Sequence, residues 1–178
     1  MKIEIKNIKI NKAFSEETIC FKADVFVDGK KTAYASNDGR GGSTYYNSYH
    51  KPNDDENLRQ AEAYAKTLPS RTYEGFSEPM VIESTLEGII DQAIDDKFNE
   101  SEKAKVEKLL QKHMLTNICF GIPNSGSYQR IGYGNIPLKA VCLTQREKVQ
   151  DLIDRIRVDR CKNGAEILNT NLKELGLI

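Results

Sequence analysis

Apolar and polar residues alternate through much of the first fifty positions, the two-residue period of strands that bury one face. In "KIEIKNIKI" Ile3 and Ile5 share one phase and Ile8 and Ile10 the other. The slip near Lys6–Asn7 predicts a bulge or a break in the strand. Ile19, Phe21, Ala23, Val25 and Val27 continue the alternation, and Asp28-Gly29 has the chemistry of a type I′ turn leading into a returning strand. No regular element is expected from Ser36 to Ser43, after which "STYYNSYH" resumes as a strand. "PNDDENLRQAEAYAKTLP" then predicts a helix with Asn53 or Asp54 as its cap, acids in its first turn and Pro69 as its stop. Its apolar stripe is Leu58, Ala61, Ala65 and Leu68.

Beyond residue 80 the period lengthens. Leu86, Ile89, Ile90, Ala93 and Ile94 recur at helical spacing, and so do Val106, Leu109, Leu110, His113 and Met114. With Ser101 read as a cap, these form two helices joined as an αα-hairpin. "NICFGIPNSGSYQRIGYGNIPLKAVCL" predicts a second β segment bent around Pro123 and Gly126. "TQREKVQDLIDRIRVDRCKNG" predicts a last helix, capped by Thr144, burying Val149, Leu152, Ile153 and Ile156 and ended by Asn163-Gly164. The expected class is α+β: an N-terminal antiparallel sheet with a helix, an αα-hairpin, and a C-terminal β-hairpin with a helix. Residues 1–70 form the first part, 71–82 a linker and 83–178 the second part, and the whole is compatible with one compact domain.

Charge narrows the range of functions. The chain has 178 residues, with 26 basic and 26 acidic side chains and zero formal charge. General nucleic-acid binding draws on a basic excess that releases counterions, so a coat for nucleic acid is not expected. No apolar run is long enough to span a bilayer, and the N-terminus alternates charge with isoleucine, so a soluble protein of the cytoplasm is expected. Cys20, Cys119, Cys142 and Cys161 stand far apart without a CxxC pair, which favours reduced thiols over a zinc site. Neither metal nor cofactor is expected.

The stretch "YASNDGRGGSTYYNSYH" carries the clearest candidate chemistry. Glycines let backbone amides turn together around an anion, and a guanidinium adds charge and paired donors. The candidate ligand-binding residues here are Asn37, Arg40, Gly41, Gly42, Ser43, Thr44, Tyr45 and Tyr46. The hydroxyls and amides would hold phosphate while the tyrosines stack an aromatic ring. "GRGGST" is neither a P-loop nor a dinucleotide fingerprint, and a mobile connection with tyrosines packed as strand residues is the competing reading. A second loop, "PNSGSYQR", adds Ser125, Tyr128 and Arg130 if the fold brings it near, and otherwise is a hairpin turn. The ladder Glu83, Glu87, Asp91, Asp95 puts four carboxylates on one helix face, best read as charge that flanks the lysines of the next helix or simply faces water. No nucleophile signature occurs, and His50 is the one acid–base residue near the glycine-rich loop, so no catalytic residue is assigned.

The segment "VFVDGKKTAYASNDGRGGSTYY", with the closing "GAEILNTNL", resembles small proteins of unassigned function encoded by bacterial viruses and other mobile elements. That resemblance implies the cytoplasm of a bacterial host and a role in capturing host nucleotide signals or host proteins. The leading expectation is a non-enzymatic protein that sequesters a phosphorylated small molecule, such as a nucleotide signal. The alternatives are an inhibitor or adaptor of a host protein, and a small nucleotide-acting enzyme using His50. Association into a homo-oligomer is left open.

Overall fold

A computed structural model describes residues 1–73 and 80–177. The fold is α+β, and the chain forms two compact units, Met1–Asn99 and Glu100–Ile178. In the first, β1 (Ile3–Ile10), β2 (Phe21–Val27), β3 (Lys30–Asn37) and β4 (Tyr45–Ser48) make an antiparallel meander in the order β1-β2-β3-β4. Asp28 and Gly29 take φ of 49° and 81°, the double positive of a type I′ turn, which only short polar residues and glycine enter readily. The slip in β1 is a bulge: the register with β2 shifts between Lys6 and Lys9, and Asn7 has φ of 54°. The bulge absorbs one residue, so Ile8 and Ile10 return to the side of Ile3 and Ile5, and all four isoleucines pack against one core.

That core takes Phe21, Ala23, Val25 and Val27 from β2 and Ala33 and Ala35 from β3. Helix α1 (Asp54–Ala65) covers it with Leu58, Ala61 and Ala65, and the first half of helix α2 (Leu86–Met114) with Leu86, Ile90 and Ile94. Facing alanines on β3 and α1 let helix and sheet approach closely. Asn53 precedes α1 in a left-handed conformation (φ 69°), and its side chain makes no capping bond. Asp54 is fully buried instead, accepting from the Lys51 amide at 3.2 Å with Lys30 Nζ 3.3 Å from its other oxygen. Removing the Lys30 ammonium would leave the buried Asp54 carboxylate without its counter-charge.

The expected helical hairpin is replaced by one continuous helix of 29 residues, α2. "KFNESEK" contains neither glycine nor proline, and every residue in it tolerates helical geometry, so a lone serine does not stop propagation. Residues 74–79 of the expected linker lie outside the described residues. Its flanks, β5 (Arg71–Tyr73) and β6 (Met80–Ile82), pair antiparallel.

In the second unit β7 (Asn117–Gly121) pairs with β8 (Gln129–Gly132) and with β9 (Glu166–Ile167), a third strand beyond the expected hairpin. Helix α3 (Leu138–Asp159) begins in a segment read as strand from its apolar density; Leu138, Val141 and Cys142 follow helical spacing after Pro137. The helix is interrupted at Gln145 (φ −139°, ψ 37°), directly after the expected cap Thr144. Ile118, Phe120, Leu138, Val149, Ile153, Ile156 and Leu172 form the core. Buried Asn169 accepts from the Cys119 amide at 2.6 Å and donates to the Asn117 carbonyl at 3.0 Å, tying the C-terminal segment to β7. Burial pushes the Cys119 thiol up to about 11, so it packs as an apolar residue. All four cysteines are free. Among the described residues no helix is long and apolar enough to cross a membrane.

Continuity of α2 is testable with Glu102→Pro. Following a cap at Ser101 a proline would occupy a favoured first position, whereas inside a continuous helix it costs about 3 kcal/mol or more. A large loss of stability, read by chemical unfolding and far-ultraviolet circular dichroism, is expected.

Candidate functional site

The glycine-rich loop grows from the end of β3 and is built by one side chain. Asn37 Oδ1 accepts from the Gly39 amide and from Thr18 Oγ1, each at 2.8 Å, while its Nδ2 donates to the Gly42 carbonyl at 2.8 Å. Gly39 has φ of 88°, and a Cβ there would meet the Phe14 carbonyl oxygen at 2.0 Å, so glycine alone fits. Its carbonyl receives the amides of Glu16, Glu17 and Thr18 at 3.0, 3.0 and 3.2 Å. The Arg40 amide donates to Asp38 Oδ1 at 3.2 Å, the Gly41 amide to Thr18 Oγ1 at 3.3 Å, and the Thr44 amide to Glu87 Oε1 at 2.9 Å. Of the expected cradle, the Arg40, Gly41 and Thr44 amides are thus directed at protein acceptors. Gly39 and Gly41 serve the close approach of the loop to Phe14 and Glu17.

The two sides of the loop differ in charge. Ser43, Thr44, Gly42 and Asn37 border a cavity of 520 Å³ with Glu16, Glu17, Glu87, Asp91 and Asp95, floored by Phe21, Ile94 and Phe98. Thr44 Oγ1 donates to Asp91 Oδ1 at 2.5 Å. Three members of the carboxylate ladder thereby face this cavity, where the sequence suggested charge flanking the lysines of a following helix or simply facing water. Burial, and then the like charges of Glu87 and Asp95, lift the Asp91 carboxyl above the usual aspartate range against the hydrogen bond from Thr44. Such a cavity repels phosphate. Among the described residues no group of three or more His, Cys, Asp or Glu is arranged to hold a metal ion.

Arg40 belongs to the other side. With Lys9, Lys22, Ser36, Asp38 and Phe14 it borders a hollow of 690 Å³, within the range of small-molecule sites. Phe14, the last residue of a 3-10 turn over Lys12–Phe14, is 58% exposed. Among the described residues no ion pair engages Lys9, Lys22 or Arg40. Lys9, Lys22 and Phe14 escaped the reading of the sequence; the register carries the lysines here, since Lys9 lies opposite Lys22 and Lys22 opposite Ser36 on the face turned from the core.

The tyrosines divide by strand alternation. Tyr46 faces inward, packs on the core and donates to Glu62 at 3.0 Å; burial and Glu62 push its hydroxyl up to about 12. Tyr45 and Tyr49 face outward and flank Tyr34, with ring centroids 5.9 and 5.7 Å from it. Lys31 Nζ lies 4.7 Å from the Tyr49 centroid and 2.9 Å from Asp24, to which the Tyr49 hydroxyl also donates. Lys9, Lys22, Asp24, Lys31, Tyr34, Ser36 and Tyr49 line a further hollow of 750 Å³ on this face.

Ser125, Tyr128 and Arg130 lie in the second unit. Asn124 and Gly126, with φ of 61° and 78°, make the turn between β7 and β8, and Ser125 closes it through the Ser127 carbonyl at 3.0 Å. Tyr128 is hydrogen-bonded to His113 Nδ1 at 2.7 Å, and Arg130 is exposed on β8. Burial, followed by Arg130 and Lys112, lowers the His113 pKa. His50 Nδ1 contacts Ser48 Oγ at 3.1 Å and Asp55 at 3.5 Å, but Ser48 is only 1% exposed and donates directly to Asp55. The trio fastens β4 to the start of α1, with the Ser48 hydroxyl shielded from solvent.

The acidic cavity gives a pH prediction. A carboxyl whose folded pKa exceeds the ordinary value of 3.8 binds its proton more tightly in the native state, so its contribution to stability falls as pH rises through its titration. Asp91→Asn retains an acceptor for Thr44 without the charge. Its melting temperature is expected to exceed that of the wild type at pH 7, with the gap closing below about pH 4; a pH-independent loss would contradict the assignment. No protein-family model matches the chain, and comparison with curated proteins and with solved structures finds no match either.

Proposed function

We propose that the protein binds a phosphorylated aromatic small molecule, a nucleotide, and retains it without turnover. The observation that carries this reading is the cluster of Lys9, Lys22 and Arg40, three cations without ion pairs among the described residues, around a hollow of 690 Å³. Cations left unpaired in a concavity favour an anionic guest, and Arg adds a planar fork suited to phosphate oxygens. Exposed Phe14 supplies a ring face for a base. Of the residues expected from the sequence, Arg40 borders this hollow and is retained in the proposal, while Gly42, Ser43 and Thr44 border the acidic cavity.

What surrounds the hollow supports the sequestration reading. Ser48 is shielded, His50 is engaged with Ser48 and Asp55, and neither lines the hollow. The resemblance to small proteins of bacterial viruses extends the proposal to a nucleotide signal of the host, held in the cytoplasm. A second reading, an inhibitor docking on a host protein, draws on the exposed tyrosine cluster: Tyr45 is 54% exposed beside Tyr34. Tyrosine and arginine are common at the centres of such interfaces.

A thermal-shift panel of nucleoside mono-, di- and triphosphates and cyclic dinucleotides tests the proposal. Stabilisation that grows with ligand concentration is expected, and heat-denatured protein should return the ligand unaltered. Arg40→Ala and Lys22→Ala should each weaken binding about tenfold or more, the loss of one charge-assisted contact. No response to any nucleotide would overturn the reading, and recovery of altered ligand would replace it with an enzymatic one.

A further inference from the structure

The hollow around Arg40 does not stand alone. It shares Lys9, Lys22 and Ser36 with the hollow over the tyrosines, so the two form one trough across the bare face of β1–β3. Arg40 marks one end, beyond Asn37, and Lys31 stands toward the other. Lys31 and Asn37 stand six residue steps apart along β3, a length of about 20 Å. A mononucleotide cannot engage both ends at once. Between the ends lie rings open to solvent on one side: Tyr34 lines the trough, with Tyr45 and Tyr49 against it.

We infer that this trough takes single-stranded nucleic acid, a run of several nucleotides whose phosphates follow Arg40, Lys22 and Lys9 while bases stack on Tyr34 and Tyr45. This deepens the nucleotide-binding reading and rests on it. Sequence-tolerant binding of single strands needs a cationic track beside aromatic faces, and both are present. The zero net charge of the chain is no obstacle, because charge is segregated. Glu16, Glu17, Glu87, Asp91 and Asp95 border the separate acidic cavity, and none of them lines the trough. Asp24 is engaged by Lys31 and Tyr49, and Asp38 by the Arg40 amide. Duplex is a poorer guest, because paired bases cannot open onto the rings.

Fluorescence anisotropy with labelled ten-residue oligothymidylate and oligoadenylate, a ten-base-pair duplex and unlabelled nucleotides as competitors decides the matter. The single strands are expected to bind at least tenfold more tightly than duplex or mononucleotide. With about three phosphates neutralised, log affinity should fall with log salt at a slope of about −2. Tyr34→Ala and Tyr45→Ala, checked for folding by circular dichroism, should each weaken oligonucleotide binding about tenfold, leaving any mononucleotide bound at Arg40 unaffected. If mononucleotides bind and oligonucleotides bind no better, this inference falls and the proposed function stands. If duplex binds as well as single strands, the stacking arrangement is refuted. If neither oligonucleotides nor nucleotides bind, both readings fall and the tyrosine face is left to a protein partner.

Discussion

A four-stranded antiparallel sheet, sealed on one face by helices and lined on the other by lysines and tyrosines, organises the rest of the first unit. Val25, Ala33 and Ala35 are essentially excluded from solvent beneath α1 and the first half of α2. Strand alternation then obliges Lys22, Asp24, Tyr34 and Ser36 to the opposite side. The bulge at Asn7 preserves that division along β1, where an uncorrected slip would have turned Ile8 and Ile10 outward and Lys9 into the core. The placement of the cations and tyrosines on one surface is thus a by-product of burying isoleucine, valine and alanine on the other.

Charge segregation gives that surface its character. The same loop that presents Arg40 on one side ties Thr44 to Glu87 and Asp91 on the other. Asn37 and Gly39 hold the loop between the two environments: one through three side-chain hydrogen bonds, the other by admitting the Phe14 backbone where no Cβ fits. A loop fixed at so many points carries Arg40 at low conformational cost. That preorganisation makes it a better anchor than a mobile connection would be.

Much of the fold was legible in the sequence, because alternation and turn chemistry are local signals. The β2–β3 hairpin, its Asp28-Gly29 turn and the helix over Leu58, Ala61 and Ala65 follow from them directly. The continuous α2 did not, because a serine cap is a preference and nothing around Ser101 breaks a helix. The first turns of α3 were hidden by the apolar density of "PLKAVCL", which fits either period. Of the proposed site, Arg40 and Tyr45 were named from the sequence, but Tyr46, named with them, turns into the core, and the direction of the amides was hidden: hydrogen bonds from residues 16–18 to Gly39 join segments that adjacency in sequence does not suggest. Lys9 and Lys22 become neighbours only through the register of β1 and β2, and Tyr34 joins Tyr45 and Tyr49 only through that of β3 and β4.

Backbone amide NMR of the labelled protein, titrated with a nucleoside triphosphate, addresses the central claim most directly. The account predicts saturable shifts concentrated at Lys9, Phe14, Lys22, Ser36 and Arg40, with Glu87 and Asp91 unmoved. Shifts centred on Thr44, Glu87 and Asp91, or none anywhere, would contradict it.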